Sequence, residues 1–422
     1  MRLQHLRLIA AAMSCLIMIS GCGPKQTETP ESLTSPPASV HPATPGQSPV
    51  VQEPSKPDDP AAALTAQLSL PEKLGQMVLV GMEGAAMQQE IRGMISDRHV
   101  GGIILYGNNI VSPQQLSELV NELKKANRET GAKLPLLLSA DQEGGRVSRL
   151  PQDIDVFPNS RSVGNTNDPK YAFRVGTALG EAMKAAGFNT DFAPVLDVNT
   201  NPANPVIGDR SFGTTAQTVS EMGVQEMLGI KSQGVIPVVK HFPGHGDTSV
   251  DSHFGLPIVD HDLERLRSVE FVPFAAAIKE DAPMVMVAHI LMTKLDPNTP
   301  SSMSSIVIGQ YLRNELQYKG VVITDDMTME AIGKTASIGA AAVQAVLAGA
   351  DIVLVGHDPA QQKAVLEALA DAVDSGKIPQ KTIDESVNRI AKLKLGFGLT
   401  DEPVSMPDVP ALNKHIRELL SK

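Results

Sequence analysis

The chain predicts an α/β fold, a single (β/α)8 barrel over residues 61–400, on three observations. Short Val/Ile/Leu runs recur eight times, at 76–81, 101–106, 135–140, 190–196, 235–241, 284–289, 320–325 and 351–356. A polar loop and a helical stretch separate each run from the next, and continuous apolar runs between amphipathic helices mark parallel strands covered on both faces. The runs end in polar or charged residues, namely Asp141, Lys240 with His241, His289, and Asp325 with Asp326. A barrel gathers its active site at those carboxyl ends. A doubly wound open sheet is the competing arrangement of the same units, and the count of eight favours the barrel.

The elements justify themselves in chain order. Arg2 and Arg7 precede an apolar run at 8–19 and the small residues Ser20 and Gly21, which is the pattern of a secretory signal. The run is too short to span a bilayer, since spanning takes about 20 apolar residues. The string ISGC ending at Cys22 resembles the lipobox of bacterial lipoproteins. That resemblance implies removal of residues 1–21, a lipid on Cys22, and anchoring to the outer face of the bacterial cell membrane. A plain signal peptide with an incidental cysteine is the alternative. Cys15 and Cys22 are the only cysteines, so the mature chain can form no internal disulfide. Residues 23–60 hold ten Pro among Thr, Ser, Glu and Gln, so residues 22–60 read as a lipidated cysteine on an extended tether. In the polyproline conformation such a tether reaches on the order of 100 Å.

Within the barrel, Ser112-Pro113 opens a helix that places Leu116, Leu119, Val120 and Leu123 on one face, and Asp168-Pro169 opens another with Val175, Leu179, Ala182 and Met183. Gly131, Gly187 and Gly234 follow helical stretches, where a left-handed cap is wanted. A last helix is expected over 382–395, and residues 401–422 read as a C-terminal tail.

Composition narrows the partners. Hydrophobic residues make up 42%, charged residues 20%, and the mean hydropathy is −0.04, which suits a globular chain with a large core. The formal charge is −11; loss of Arg2 and Arg7 with the signal leaves 34 basic against 47 acidic side chains, or −13. A basic face for nucleic acid is therefore excluded. Aromatic residues are only 3% and Trp is absent, which argues against a stacking platform for bases or an indole grip on sugars.

The chemistry concentrates in KHFPGHGDTSVDSH at 240–253, leaving the fifth run with three His, two Asp and one Lys. Gly244 and Gly246 give this loop the freedom to fold back. Two readings compete. His241, His245, Asp247, Asp251 and His253 have the side chains of a Zn or Fe site. Alternatively, Asp251 orients and charge-stabilises His253 as a proton-transfer dyad. The first run carries no His-x-His, which weighs against metal. DQEGGRVSR at 141–149 and GDRSFG at 208–213 follow the third and fourth runs. Asp141, Arg149, Arg210, Lys240 and His241 together offer donors and acceptors for a hydroxylated ligand. The seventh run ends ITDDM, where an Asp suits a nucleophile or general base, and Asp326 reads better as a helix N-cap.

These four motifs resemble those of glycoside hydrolase family 3, specifically its β-N-acetylhexosaminidases that act on peptidoglycan fragments, over residues 65–397. The resemblance implies a retaining mechanism with Asp325 as nucleophile. It implies His253, held by Asp251, as general acid/base, and Asp141, Arg149, Arg210, Lys240 and His241 as sugar-binding residues; should His253 not be the acid, His245 or Glu143 is the next candidate among the residues. Thr324 stands where many members have Ser, which keeps the hydroxyl. The family's glucosidases carry Trp after the nucleophile and draw a Glu acid from a second domain, whereas Asp326 follows here and the chain ends soon after the barrel. The expectation is an exported, lipid-tethered exo-β-N-acetylglucosaminidase that acts as a monomer on N-acetylglucosamine-containing saccharides, with no cofactor and no metal. A two-lobed solute-binding lipoprotein and a metal-dependent barrel hydrolase are the rivals.

Overall fold

The computed structural model describes residues 59–250, 255–333 and 336–421. The signal, Cys22 and nearly all of the tether lie outside the described residues, as do Asp251 and His253.

All eight runs form strands: β1 Val78–Gly81, β2 Gly102–Ile104, β3 Leu137–Ala140, β4 Thr190–Asp191, β5 Ile236–Phe242, β6 Met284–Val287, β7 Val321–Thr324 and β8 Val353–Val355. Each pairs in parallel with its neighbour in sequence, and β8 returns to pair with β1 through Val78↔Val353 and Leu79↔Leu354. The seam between β7 and β8 is narrower. It is made by the Ile323↔Ile352 bridge and by Thr324 N donating to Ile352 O at 3.0 Å. The sheet is thus a closed parallel barrel, which excludes both the open doubly wound sheet and the two-lobed binding protein.

The strands are buried from end to end because their apolar side chains fill the barrel on one side and meet the helices on the other. The fourth is shorter than its run. Pro194 has no N–H for the ladder, and pairing with β5 resumes only at the Val195↔Lys240 bridge. Helices Pro113–Glu129 and Pro169–Ala185 start where their caps predict, with Gln115 N donating to Ser112 Oγ at 3.2 Å and Lys170 N to Asp168 Oδ1 at 3.0 Å. Gly131, Gly187 and Gly234 all take positive φ just past helix ends. The last predicted helix spans Gln380–Gly396.

Its Lys394 closes the amino-terminal end of the barrel. The ammonium donates to Gln76 Oε1 at 2.6 Å, Gly101 O at 2.8 Å and Pro135 O at 2.7 Å, all just ahead of β1, β2 and β3. Burial pushes its pKa down to about 7.

The segment expected as a tail is folded onto the barrel. Asp401 accepts from Asn127 Nδ2 at 2.6 Å, and Val404 exchanges two hydrogen bonds with Asn121, each 2.8 Å. Helix Val409–Leu420 buries Ile416 and holds the loop after β3, with Asn413 donating to Asp153 O at 2.7 Å and accepting from Asp155 N at 2.9 Å.

Candidate active site

A cavity of about 680 Å³ opens at the carboxyl ends of the strands. It is within the range of a small-ligand site. Asp141, Arg149, Arg210, Lys240, His241 and Asp325 all line it, together with Glu143 and His245.

Charge is layered at its floor. Lys240 is fully buried at the end of β5, with Nζ 2.5 Å from Asp141 Oδ1 and 2.7 Å from Glu143 Oε1. Burial alone would lower its pKa, but the two carboxylates outweigh that and raise it. Arg210 forks onto Glu143, with Nε and Nη2 each 2.7 Å from a carboxylate oxygen. Burial opposes ionisation of Glu143, yet Arg210 and Lys240 together hold it well below the carboxylate range. Lys240 spends two of its three donors on Asp141 and Glu143, and Arg210 is held by its fork onto Glu143, which presents Asp141 and the Lys240 ammonium to a ligand as a fixed polar pair.

Asp197, fully buried after β4, organises the histidines. It accepts from His241 Nδ1 at 2.7 Å and from the backbone N–H of His245 at 2.7 Å. The bond from Nδ1 leaves His241 with Nε2 for a ligand. His245 Nδ1 sits 2.7 Å from Thr248 Oγ1, and burial, followed by the His241 charge, pushes its pKa down to about 4. Gly244 takes φ +131°, and Gly246 lies so close to Val198 O that a Cβ would be 1.9 Å from it; both glycines are required for the loop to fold back. Asp247 accepts from Thr200 Oγ1 at 3.0 Å and lies 2.7 Å from His261 Nε2. His241, His245 and Asp247 are thus engaged with separate partners, and among the described residues no three His, Cys, Asp or Glu side chains converge as metal ligands.

Asp325 follows β7 directly. Its Oδ1 accepts from Asp326 N at 2.8 Å. Burial raises its pKa, but His289, then His241, lower it further, so the carboxyl is held ionised. Asp326, expected as a helix N-cap, is not one, because the next helix begins only at Glu330 and Asp326 instead holds a turn and a neighbouring strand end. Its Oδ1 accepts from Thr328 N at 3.0 Å and from Gly356 N at 2.9 Å, and Tyr106 OH donates to its Oδ2 at 3.3 Å. Tyr106 stacks on His357, with ring centroids 4.6 Å apart, as one wall of the cavity.

Sequence reading missed Asp197, Tyr106 and His357. The signal was present, since Asp197 follows the fourth run, Tyr106 ends the second and His357 follows the eighth.

A second cavity of about 660 Å³ lies beside the first and shares Arg149 with it. Its rim carries Val111 and Val156, which are 69% and 90% exposed.

Residues 69–393 match the family description "Glycosyl hydrolase family 3 N terminal domain". The chain is 37% identical over 327 residues to Beta-hexosaminidase A of Pseudoalteromonas piscicida, a match covering 72% of this chain and 55% of that protein. It is 34% identical over 400 residues to Beta-hexosaminidase LpqI of Mycobacterium tuberculosis, covering 93% of this chain and 97% of that one. Among solved structures, a family 3 β-N-acetylglucosaminidase from a Paenibacillus species superposes with a TM-score of 0.78 at 42% identity, over 83% of this chain and 69% of the other.

Proposed function

The chain belongs to glycosyl hydrolase family 3, and from that premise we propose that it is a retaining exo-β-N-acetylglucosaminidase that removes terminal N-acetylglucosamine from peptidoglycan fragments or related saccharides. The observation that carries the reading is the single cavity shared by Asp325, Lys240, His241, Asp141 and Arg149 at the carboxyl ends of the strands. Proteins it resembles carry hexosaminidase or N-acetylglucosaminidase names.

In the first step an oxygen of ionised Asp325 attacks the anomeric carbon while the glycosidic C–O bond breaks, and protonated His253 gives its proton to the leaving oxygen. In the second, neutral His253 takes a proton from water, whose oxygen attacks the same carbon and releases the Asp325 carboxylate. Asp251 orients His253 and stabilises its charge. Two net inversions retain the configuration. The other candidates for the acid are poorly suited: Glu143 is held ionised between two cations, and His245 is held neutral down to about pH 4. Asp141, Arg149, Arg210, Lys240 and His241 bind the sugar. No cofactor or metal enters these steps.

The lipobox-like ISGC and the Pro-rich tether support export and anchoring through Cys22 to the outer face of the cell membrane, with the barrel acting as a monomer. The test of the sugar assignment is a pair of aryl glycosides. An aryl N-acetyl-β-glucosaminide is cleaved far faster than the matching β-glucoside, and equal rates would reject the assignment.

A further inference from the structure

The loop after β3 brings Asp141, Glu143 and Arg149 to the cavity, but Gln142 between the two acids does not line it. Its side chain is fully buried and turned back into the loop. There Oε1 accepts from Arg149 N at 2.8 Å, from Leu150 N at 3.1 Å and from Ser148 Oγ at 3.1 Å. One amide oxygen therefore closes a ring from residue 142 to residue 150. The intervening turn is made by Gly144 and Gly145, at φ +85° and +56°, with Glu143 N donating to Val147 O at 3.0 Å. The ring is fixed to the barrel at its root, because Gln142 N donates to Asp191 Oδ1 on β4 at 3.0 Å.

Arg149 is what this ring presents. Its guanidinium donates to Ser148 O at 3.2 Å, forms no ion pair among the described residues, and stands where the two cavities meet. Arg210 is oriented by its fork onto Glu143, whereas Arg149 has, among the described residues, no carboxylate to aim it. A long side chain with no charged partner keeps much of its rotamer freedom until ligand binds, so the placement of its Cα decides how many of its conformers reach the ligand.

We infer that Gln142 is a positioning residue for Arg149, whose guanidinium reaches the sugar only while the 142–150 ring is closed. The inference rests on the proposed reading that Arg149 binds the sugar. Because that contact is made to bound substrate before and during reaction alike, opening the ring raises KM and leaves kcat nearly unchanged.

The experiment is a double-mutant cycle on an aryl N-acetyl-β-glucosaminide, with Gln142→Met, Arg149→Ala and the two combined. Met has similar length but no acceptor oxygen. The expected result is a roughly tenfold rise in KM for Gln142→Met, with kcat within about twofold, and no further rise when it is added to Arg149→Ala. Multiplying effects, or a loss confined to kcat, would overturn the inference. If Arg149→Ala raises KM and Gln142→Met does not, the sugar-binding reading stands and the positioning role fails. If Arg149→Ala leaves KM unchanged, both fail. Should Gln142→Met not fold, Ser148→Ala removes one of the three donors at an exposed position. A rise of about twofold in KM that vanishes in the Arg149→Ala background supports the inference, and an unchanged KM counts against it.

Discussion

At the carboxyl end of the barrel Lys240 is buried against two carboxylates, and at the amino end Lys394 is buried against three neutral oxygens. Both side chains are 1% exposed, so burial weakens both ammonium groups. Asp141 and Glu143 reverse that effect for Lys240, whereas Lys394 bonds only to neutral oxygens and the charge of Asp401 does not offset burial, so its pKa falls to about 7. The difference separates a face built for chemistry from one built for closure. At the first, Lys240 and Arg210 balance Asp141 and Glu143, so a rigid set of charges can meet a ligand. At the second, one long side chain ties together Gln76 Oε1, Pro135 O and Gly101 O, the last of which also accepts from Leu137 N at 3.0 Å.

Three perturbations break or sharpen this contrast. The largest effect belongs to Asp325→Asn, which removes the proposed nucleophile from the chemical face. Activity on an aryl N-acetyl-β-glucosaminide falls by several orders of magnitude, while the urea midpoint stays near that of the wild type. Next come the two lysines. Lys240→Met strands Asp141, leaves Glu143 to Arg210 alone, and costs about 3–5 kcal/mol of stability together with most of the activity. Lys394→Met strips the donor from Gln76 Oε1 and Pro135 O, while Gly101 O keeps its bond from Leu137 N, and costs about 1–3 kcal/mol, with kcat/KM unchanged in the folded fraction. Urea titrations and steady-state kinetics on the same preparations separate the two outcomes.

The last effect is a pH slope. In the unfolded chain Lys394 titrates near its ordinary value of about 10.4. Between about pH 7 and 10 the unfolded state therefore binds more protons than the folded one, and stability from this group rises with pH. Below pH 7 both states are protonated and the benefit is gone. The wild type should gain stability relative to Lys394→Met as pH is raised through this window, read as the difference between their urea midpoints.

The same contrast explains what could be read from the sequence. Eight strands were legible because apolar runs covered on both faces need no partner to declare themselves, and Asp141, Lys240, His241 and Asp325 were legible as polar residues at the ends of such runs. Asp197 obeys the same rule and was passed over. Its role depends on contacts to His241 and His245, 44 and 48 residues away, that no local pattern reveals. Glu143 stood in plain view, but its clamp by Arg210 and Lys240 is a product of barrel closure. The segment after residue 400 carries its apolar residues mostly in one short helix, Val409–Leu420, and is otherwise held by the amides of Asn121, Asn127 and Asn413, so it resembled a tail. Lys394 was silent for a related reason: in sequence, a buried lysine looks like an exposed one.

The central claim is that the carboxyl face performs a double displacement through Asp325. Incubation with a slow fluorinated N-acetylglucosaminyl donor, followed by proteolysis and peptide mapping, tests it most directly. The account predicts one glycosyl adduct per chain, on Asp325, released when a sugar acceptor is added. An adduct on Asp326 or elsewhere, or turnover with no trapped species, would contradict it.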